Sequence, residues 1–180
     1  QYQLVSVNGG LLYVTANGTA STPTFTAAGM GAPLIYLPLN GNTTDVMGNS
    51  TVTVTGSVSY VTGIVGSQAV QITNVTNGTA ASNYIQGSLS GVTNFSVSGW
   101  FNIQSYSTSP QIIFSAGSTG YDIFIDSSTN NNVICANIQP TNTRLATTTF
   151  SASLNTWYSF MYIFQSGGLC SFYVNNVLIG

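Results

Sequence analysis

Few side chains in this sequence can transfer a proton, attack a carbonyl carbon or hold a metal. They are Asp45, Asp122, Asp126, Arg144, Cys135 and Cys170, in 180 residues that include no Lys, no Glu and no His. Glycoside hydrolysis needs two carboxyl groups about 5 to 9.5 Å apart. Asp122 and Asp126 share one face of a candidate strand, but four residues at about 3.3 Å each set their Cα atoms about 13 Å apart. Asp45 belongs to a distant loop. Serine or cysteine hydrolysis needs a base beside the nucleophile, and the chain has neither His nor Lys. Neither cysteine has a His or Cys at ligand spacing, which leaves zinc without support. Cys135 and Cys170 read either as one disulfide, if their strands neighbour each other, or as two small buried hydrophobes. The expectation is a protein that is not an enzyme.

Binding chemistry is better represented. Asp45 ends the turn Asn40-Gly41-Asn42-Thr43-Thr44-Asp45. Asp45 and Asn42 could offer oxygen ligands to calcium, a hard cation that takes six to eight of them. With one carboxylate the alternative leads, in which Asp45 caps the backbone of its own turn. Sugar recognition combines an aromatic platform with amide and hydroxyl groups. Tyr106, Tyr121, Asn130, Asn131, Asn132, Asn142 and Arg144 lie in or near loops and form the candidate patch; an Asn run is otherwise a solvated turn. Trp100 and Trp157 fall within strands and are expected in the core.

The elements that position these residues must be built almost without charge. Asp, Glu, Lys and Arg make up 2% of the chain, against about a quarter in an ordinary domain. Ser, Thr and Asn, at 23, 24 and 18 residues, take their place. A net charge of -2 leaves little self-repulsion, so an assembly, a coat of sugar, or both are expected. One Arg cannot neutralise a run of phosphates, which excludes nucleic acid. The longest apolar stretches fall short of the roughly 20 residues needed to span a bilayer. Six Asn-x-Ser/Thr sequons, at Asn17, Asn42, Asn49, Asn74, Asn77 and Asn94, are candidates for glycosylation. The opening at Gln1, without Met or an apolar leader, reads as a processed or excised piece of a longer protein.

Strong helix formers are sparse and Thr, Val, Ile, Tyr and Phe dominate the ordered stretches, which predicts an all-β chain. Candidate strands are 4–7, 11–15, 34–39, 51–55, 58–61, 69–72, 83–86, 95–101, 111–115, 121–126, 133–138, 146–150, 156–164 and 170–174, divided by Gly, Asn and Ser clusters. Alternation in Thr51–Thr55 and Tyr121–Asp126 predicts one apolar and one wet face. Trp157–Phe164 is bulky on both faces, as in a central strand covered on both sides. Residues 1–32, with Asn8-Gly9-Gly10 between two short runs, read as an extended N-terminal arm with a hairpin. The domain proper is expected at 33–180.

From Leu34 onward the chain resembles the laminin-G-like branch of the concanavalin A-like lectin and glucanase superfamily. The likeness rests on Leu34-Ile35-Tyr36-Leu37-Pro38-Leu39-Asn40-Gly41 followed by Asp45-Val46-Met47-Gly48-Asn49, on Phe95-Ser96-Val97-Ser98-Gly99-Trp100-Phe101, on Leu154-Asn155-Thr156-Trp157-Tyr158, and on Phe172-Tyr173-Val174-Asn175-Asn176. The resemblance implies a two-sheet antiparallel jelly-roll sandwich, used mostly to bind glycans or proteins and to build extracellular or virion-surface proteins. Relatives with the Asp45 turn sometimes hold calcium there. Modules this rich in Asn, Thr and Ser are also similar to those of surface proteins of large DNA viruses. Asn176 stands where the family usually has Gly, a change Asn tolerates because it accepts positive φ. The family continues past this turn with closing strands, so the arm or a neighbouring chain is expected to complete the sheet. Together these readings predict a structural and attachment module, secreted or on a virion surface, assembling through strand edges and binding glycans. The alternative is a self-contained lectin, calcium-dependent or not; a non-catalytic piece of a glycoside hydrolase is more remote.

Overall fold

A computed structural model of the chain describes residues 3–5, 13–15, 33–73, 83–88, 94–106, 111–115, 121–126, 133–138, 143–144, 150–165 and 169–180. Every regular element among them is a strand, and none of them forms a helix long and apolar enough to cross a membrane. Two compact units form, Gln1–Val97 and Ser98–Gly180, with the boundary inside a strand.

The first unit is built from three antiparallel ribbons. Strands β1 (Gln3–Val5) and β2 (Tyr13–Thr15) pair Gln3 with Thr15, the hairpin expected around Asn8-Gly9-Gly10. Strand β3 (Thr53–Thr55) pairs with β6 (Tyr84–Gln86), and β4 (Ser59–Thr62) with β5 (Gln68–Gln71). Two sequence readings are corrected in this unit. Residues 34–39 join no sheet, because the Tyr36 N–H is taken by the Asp45 carboxylate, at 2.9 Å, and its carbonyl by the Val46 N–H, at 3.0 Å. The alternation in Thr51–Thr55 does not give one buried face either. Val54 is 40% exposed, since a two-stranded ribbon has only one ladder to shelter it.

The second unit holds two four-stranded antiparallel sheets. One has the order β11-β10-β9-β8, from β8 (Gln111–Ser115), β9 (Tyr121–Asp126), β10 (Val133–Ile138) and β11 (Thr143–Arg144). The other has the order β14-β13-β12-β7, from β7 (Phe95–Asn102), β12 (Trp157–Gln165), β13 (Leu169–Val174) and β14 (Val177–Leu178). A β-bulge between Ile112 and Phe114 interrupts the edge strand β8, a device that discourages further pairing at an edge. Strand β12 is interior, as its two bulky faces predict. Tyr158, Phe160, Tyr162 and Phe164 are buried on one face and Ser159 on the other.

The aromatic core explains why these strands stay together. Phe101 stacks on Tyr158 with centroids 5.4 Å apart and lies 6.1 Å from Phe160. Phe150 meets Tyr158 edge-on at 5.2 Å, and Tyr162 meets Phe172 at 6.4 Å. Each such pair contributes about 0.5–1.5 kcal/mol beyond the burial of its area. Gly99 packs closely here, since a Cβ there would sit 3.2 Å from the Phe160 ring. Ile123 and Ile125 of β9 are fully buried. The wet face predicted for β9 is not wet at its centre: Phe124 is buried too, flanked in register by Ile112 and Cys135.

The hairpin between β13 and β14 turns through Asn175 and Asn176, with φ of 49° and 65°. Two consecutive positive φ values match the right-handed twist of a two-residue hairpin. Asn176 thus does what the family's Gly does. Asn175 adds an anchor, its Oδ1 accepting the Ser159 N–H at 3.0 Å.

Candidate functional site

The Asp45 turn gathers four backbone N–H groups on one carboxylate. Its Oδ1 accepts the N–H groups of Tyr36 at 2.9 Å and Met47 at 3.1 Å, and its Oδ2 those of Asn49 at 2.9 Å and Ser50 at 3.0 Å. A carboxylate has about four lone-pair positions, and all are occupied by donors whose partial positive charge repels a cation. Burial alone would raise this carboxyl, but the bonds from Tyr36, Met47, Ser50 and Asn49 together outweigh it and hold the group below the usual carboxylate range. Asn42 is likewise engaged, its Oδ1 accepting the Thr44 N–H at 2.9 Å. The capping reading therefore describes Asp45, and the side-chain oxygens that the calcium alternative would use, at Asp45 and Asn42, are engaged by backbone N–H groups. Among the described residues no three His, Cys, Asp or Glu side chains come together.

Each cysteine is placed by the strand that carries it. Cys135 lies in β10, paired with Phe124; Cys170 lies in β13, paired with Phe164 in the other sheet. Cys170 is a reduced thiol whose Sγ accepts the Tyr162 O–H at 3.3 Å. The two cysteines thus stand on strands of different sheets. Burial pushes the Cys170 thiol up, with the Tyr162 hydroxyl partly offsetting it.

Of the predicted sugar patch, Tyr106, Tyr121 and Arg144 lie among the described residues. Tyr106 follows β7, is 39% exposed, and donates its O–H to the Ala152 carbonyl, which fixes the ring. Tyr121 opens β9. Arg144 is in strand β11, in register with Asn137, and not in a loop. Asn130, Asn131, Asn132 and Asn142 lie outside the described residues, as do the sequons Asn17, Asn74 and Asn77 and strand residues 146–149. Asn42, Asn49 and Asn94 are exposed, and Asn49 Nδ2 donates to the Leu34 carbonyl at 2.9 Å.

The stronger constellation is on β7 itself. Gly99 and Phe101 face the Phe160 and Tyr158 rings, so alternation turns Ser98, Trp100 and Asn102 to the opposite face. On β12, next to β7 in the sheet, the same alternation puts Trp157, Ser159 and Met161 on that face, with Tyr173 of β13 in register with Met161. Ser98 Oγ, Trp100 Nε1 and Asn102 Oδ1 are all buried without a hydrogen-bond partner, as is Gln111 Oε1 on β8. Native structures leave few buried polar atoms unpaired, and here three share one strand face. Gln111 is oriented by its Nε2, which donates to the Ser105 carbonyl at 3.0 Å in the loop carrying Tyr106. Trp100 is thus half-buried in a polar row and not an ordinary core residue. The signal in the sequence was the alternation Ser96-x-Ser98-x-Trp100-x-Asn102.

Sheet order, aromatic core and the Asn175-Asn176 hairpin define an all-β sandwich of the concanavalin A-like class. The family model described as the concanavalin A-like lectin/glucanases superfamily, of laminin G type, matches residues 66–180, and the chain belongs to that family. Among solved structures the fold is similar to domain 4 of AbnA, a GH43 extracellular arabinanase from Geobacillus stearothermophilus, in complex with arabinotriose. The TM-score is 0.56 at 20% identity, over 78% of this chain and 69% of that one. No curated protein matches the chain.

Proposed function

We propose that this chain is a non-catalytic, glycan-binding module that serves attachment in a secreted or virion-surface protein. The observation that carries the reading is the β7 face, where Ser98, Trp100 and Asn102 combine an indole with polar atoms that have no partner within the protein. Aromatic faces with adjacent amide and hydroxyl groups suit sugar rings, which are apolar above and below and polar at the rim. The arabinotriose bound to the structurally similar AbnA domain supports the same ligand chemistry. The want of Glu, His and Lys favours binding without turnover. Calorimetry of the full chain against a panel of neutral and acidic oligosaccharides, with and without calcium, tests the reading. Saturable binding that ignores calcium is expected. A chain that binds no member of the panel would refute it.

Assembly through strand edges is a second reading, favoured by the edge strand β14, where Val177 and Leu178 are 62% and 58% exposed. Two apolar side chains beside unpaired backbone groups invite another strand. Sedimentation of wild type against Val177→Lys separates the cases: self-association that the substitution abolishes supports edge pairing, and a concentration-independent monomer argues against it.

A further inference from the structure

We infer that the loop after β7 and the loop before β12 together form an exposed stacking subsite for a neutral sugar, with the Tyr106 ring as its platform. The inference rests on the glycan-binding reading above and adds to it a surface that solvent already reaches. The two loops are tied to each other at two points. The Asn155 N–H donates to the Ile103 carbonyl at 2.7 Å, and the Tyr106 O–H donates to the Ala152 carbonyl. Ile103 and Ala152 are buried, so each tie has one end on a buried residue. A third bond runs to the aromatic core, from the Ser153 N–H to the hydroxyl of Tyr158 at 3.0 Å, and Tyr158 is stacked on Phe101.

The side chains of these loops stand in solvent. Tyr106 is 39% exposed and Leu154 37%, and Ser105, Ser153 and Asn155 are exposed beside them in the chain. A surface tyrosine ordinarily moves among rotamers and must be ordered when a ligand arrives. Here the Ala152 carbonyl already holds the tip of the ring, so little ordering is left to be lost on binding. With its O–H engaged, Tyr106 offers its ring, and the C–H face of a sugar covers such a ring. Sugar hydroxyls both donate and accept, which suits the amide of Asn155 and the hydroxyls of Ser105 and Ser153. Residues 94–106 and 150–165 contain no charged residue. An acidic sugar or a phosphate would lose hydration there without gaining an ion pair, which makes a neutral sugar the matching ligand class.

The test is calorimetry on the full chain with arabinotriose and cellotriose as probes. It is run on wild type, Tyr106→Ala, Tyr106→Phe and Asn155→Gly, with thermal melting to check folding. Tyr106→Ala removes the platform and should weaken binding about tenfold. Tyr106→Phe keeps the ring but frees it from Ala152, and should lose about threefold. Asn155→Gly removes the amide at a position whose φ of 56° glycine accepts, and should lose about fivefold, the worth of one hydrogen bond. Should Tyr106→Ala fail to fold, Tyr106→Phe and Asn155→Gly carry the test. Binding unchanged in all the folded variants would overturn this subsite while the module remained a lectin. Wild type that binds neither probe would overturn the subsite and the function together.

Discussion

Replacing Asp45 by Asn tests whether one buried carboxylate organises the residues from 34 to 50. In the native turn four N–H groups converge on two oxygens at 2.9 to 3.1 Å. Asparagine keeps an acceptor for two of them and sets an NH₂ group against the other two. A buried donor left without an acceptor costs about 1–3 kcal/mol. Only the Tyr36 bond is fully buried, and the others are partly so, so the lower half of that range applies. Asp45→Asn should then destabilise by about 2–4 kcal/mol, and at about 2–4 °C per kcal/mol for a chain of this size the melting point falls by about 4–16 °C. The pH dependence gives an independent check. The folded carboxyl lies below its unfolded value, so its contribution is complete above the unfolded value of about 3.9 and is lost as pH falls through the folded one. With no His, Glu or Lys in the chain, stability should be flat between about pH 5 and 8. The gap between wild type and variant should close below about pH 4, and Asp122 and Asp126 cancel because both proteins carry them. Urea unfolding from pH 7 to 2.5 measures this. A gap that stays constant over that range would refute the carboxylate's role, and a melting point that calcium raises in wild type but not in the variant would revive the metal reading.

Three further outcomes follow from the second unit. Asn176→Val forces a β-branched side chain to φ of 65° and should cost about 1–2 kcal/mol, whereas Asn176→Gly should be neutral or slightly stabilising; equal melting of all three proteins would count against the hairpin geometry. Gly99→Val drives a side chain into the Phe160 ring, 3.2 Å from the added Cβ, and should cost about 1–3 kcal/mol by overpacking, read by urea unfolding; no loss would mean β7 is placed otherwise. Cys170, held as a thiol with its ionisation suppressed by burial, should react with a thiol reagent at pH 8 far more slowly in the native protein than in urea, and an intact mass two hydrogens light would show that a disulfide forms after all.

Strands β8, β9 and β10 could be read at their bounds from apolar runs between turn residues, and the buried aromatics of β12 from its bulk. What escaped prediction depended on partners distant in sequence. Residues 34–39 have strand composition, yet their backbone groups are claimed by the turn at Asp45 and Val46. Strands β11 and β14 are two residues long, too short for any period to register. The polar row was visible as Ser-x-Ser-x-Trp-x-Asn, but a Trp in a strand reads as core. Only the position of Phe101 against Tyr158 reveals which face of β7 the indole occupies.

The single arginine sits in β11, an edge strand held to β10 by the pairs of Thr143 with Ile138 and Arg144 with Asn137. A trypsin-type protease thus has one bond to cut in the whole chain, and must peel that edge away to reach it. Because β7 precedes the excursion through β8–β11 and yet pairs with β12 beyond it, the two fragments would still share a continuous ladder. A nicked molecule would remain one particle, stitched by hydrogen bonds where the covalent chain had been broken.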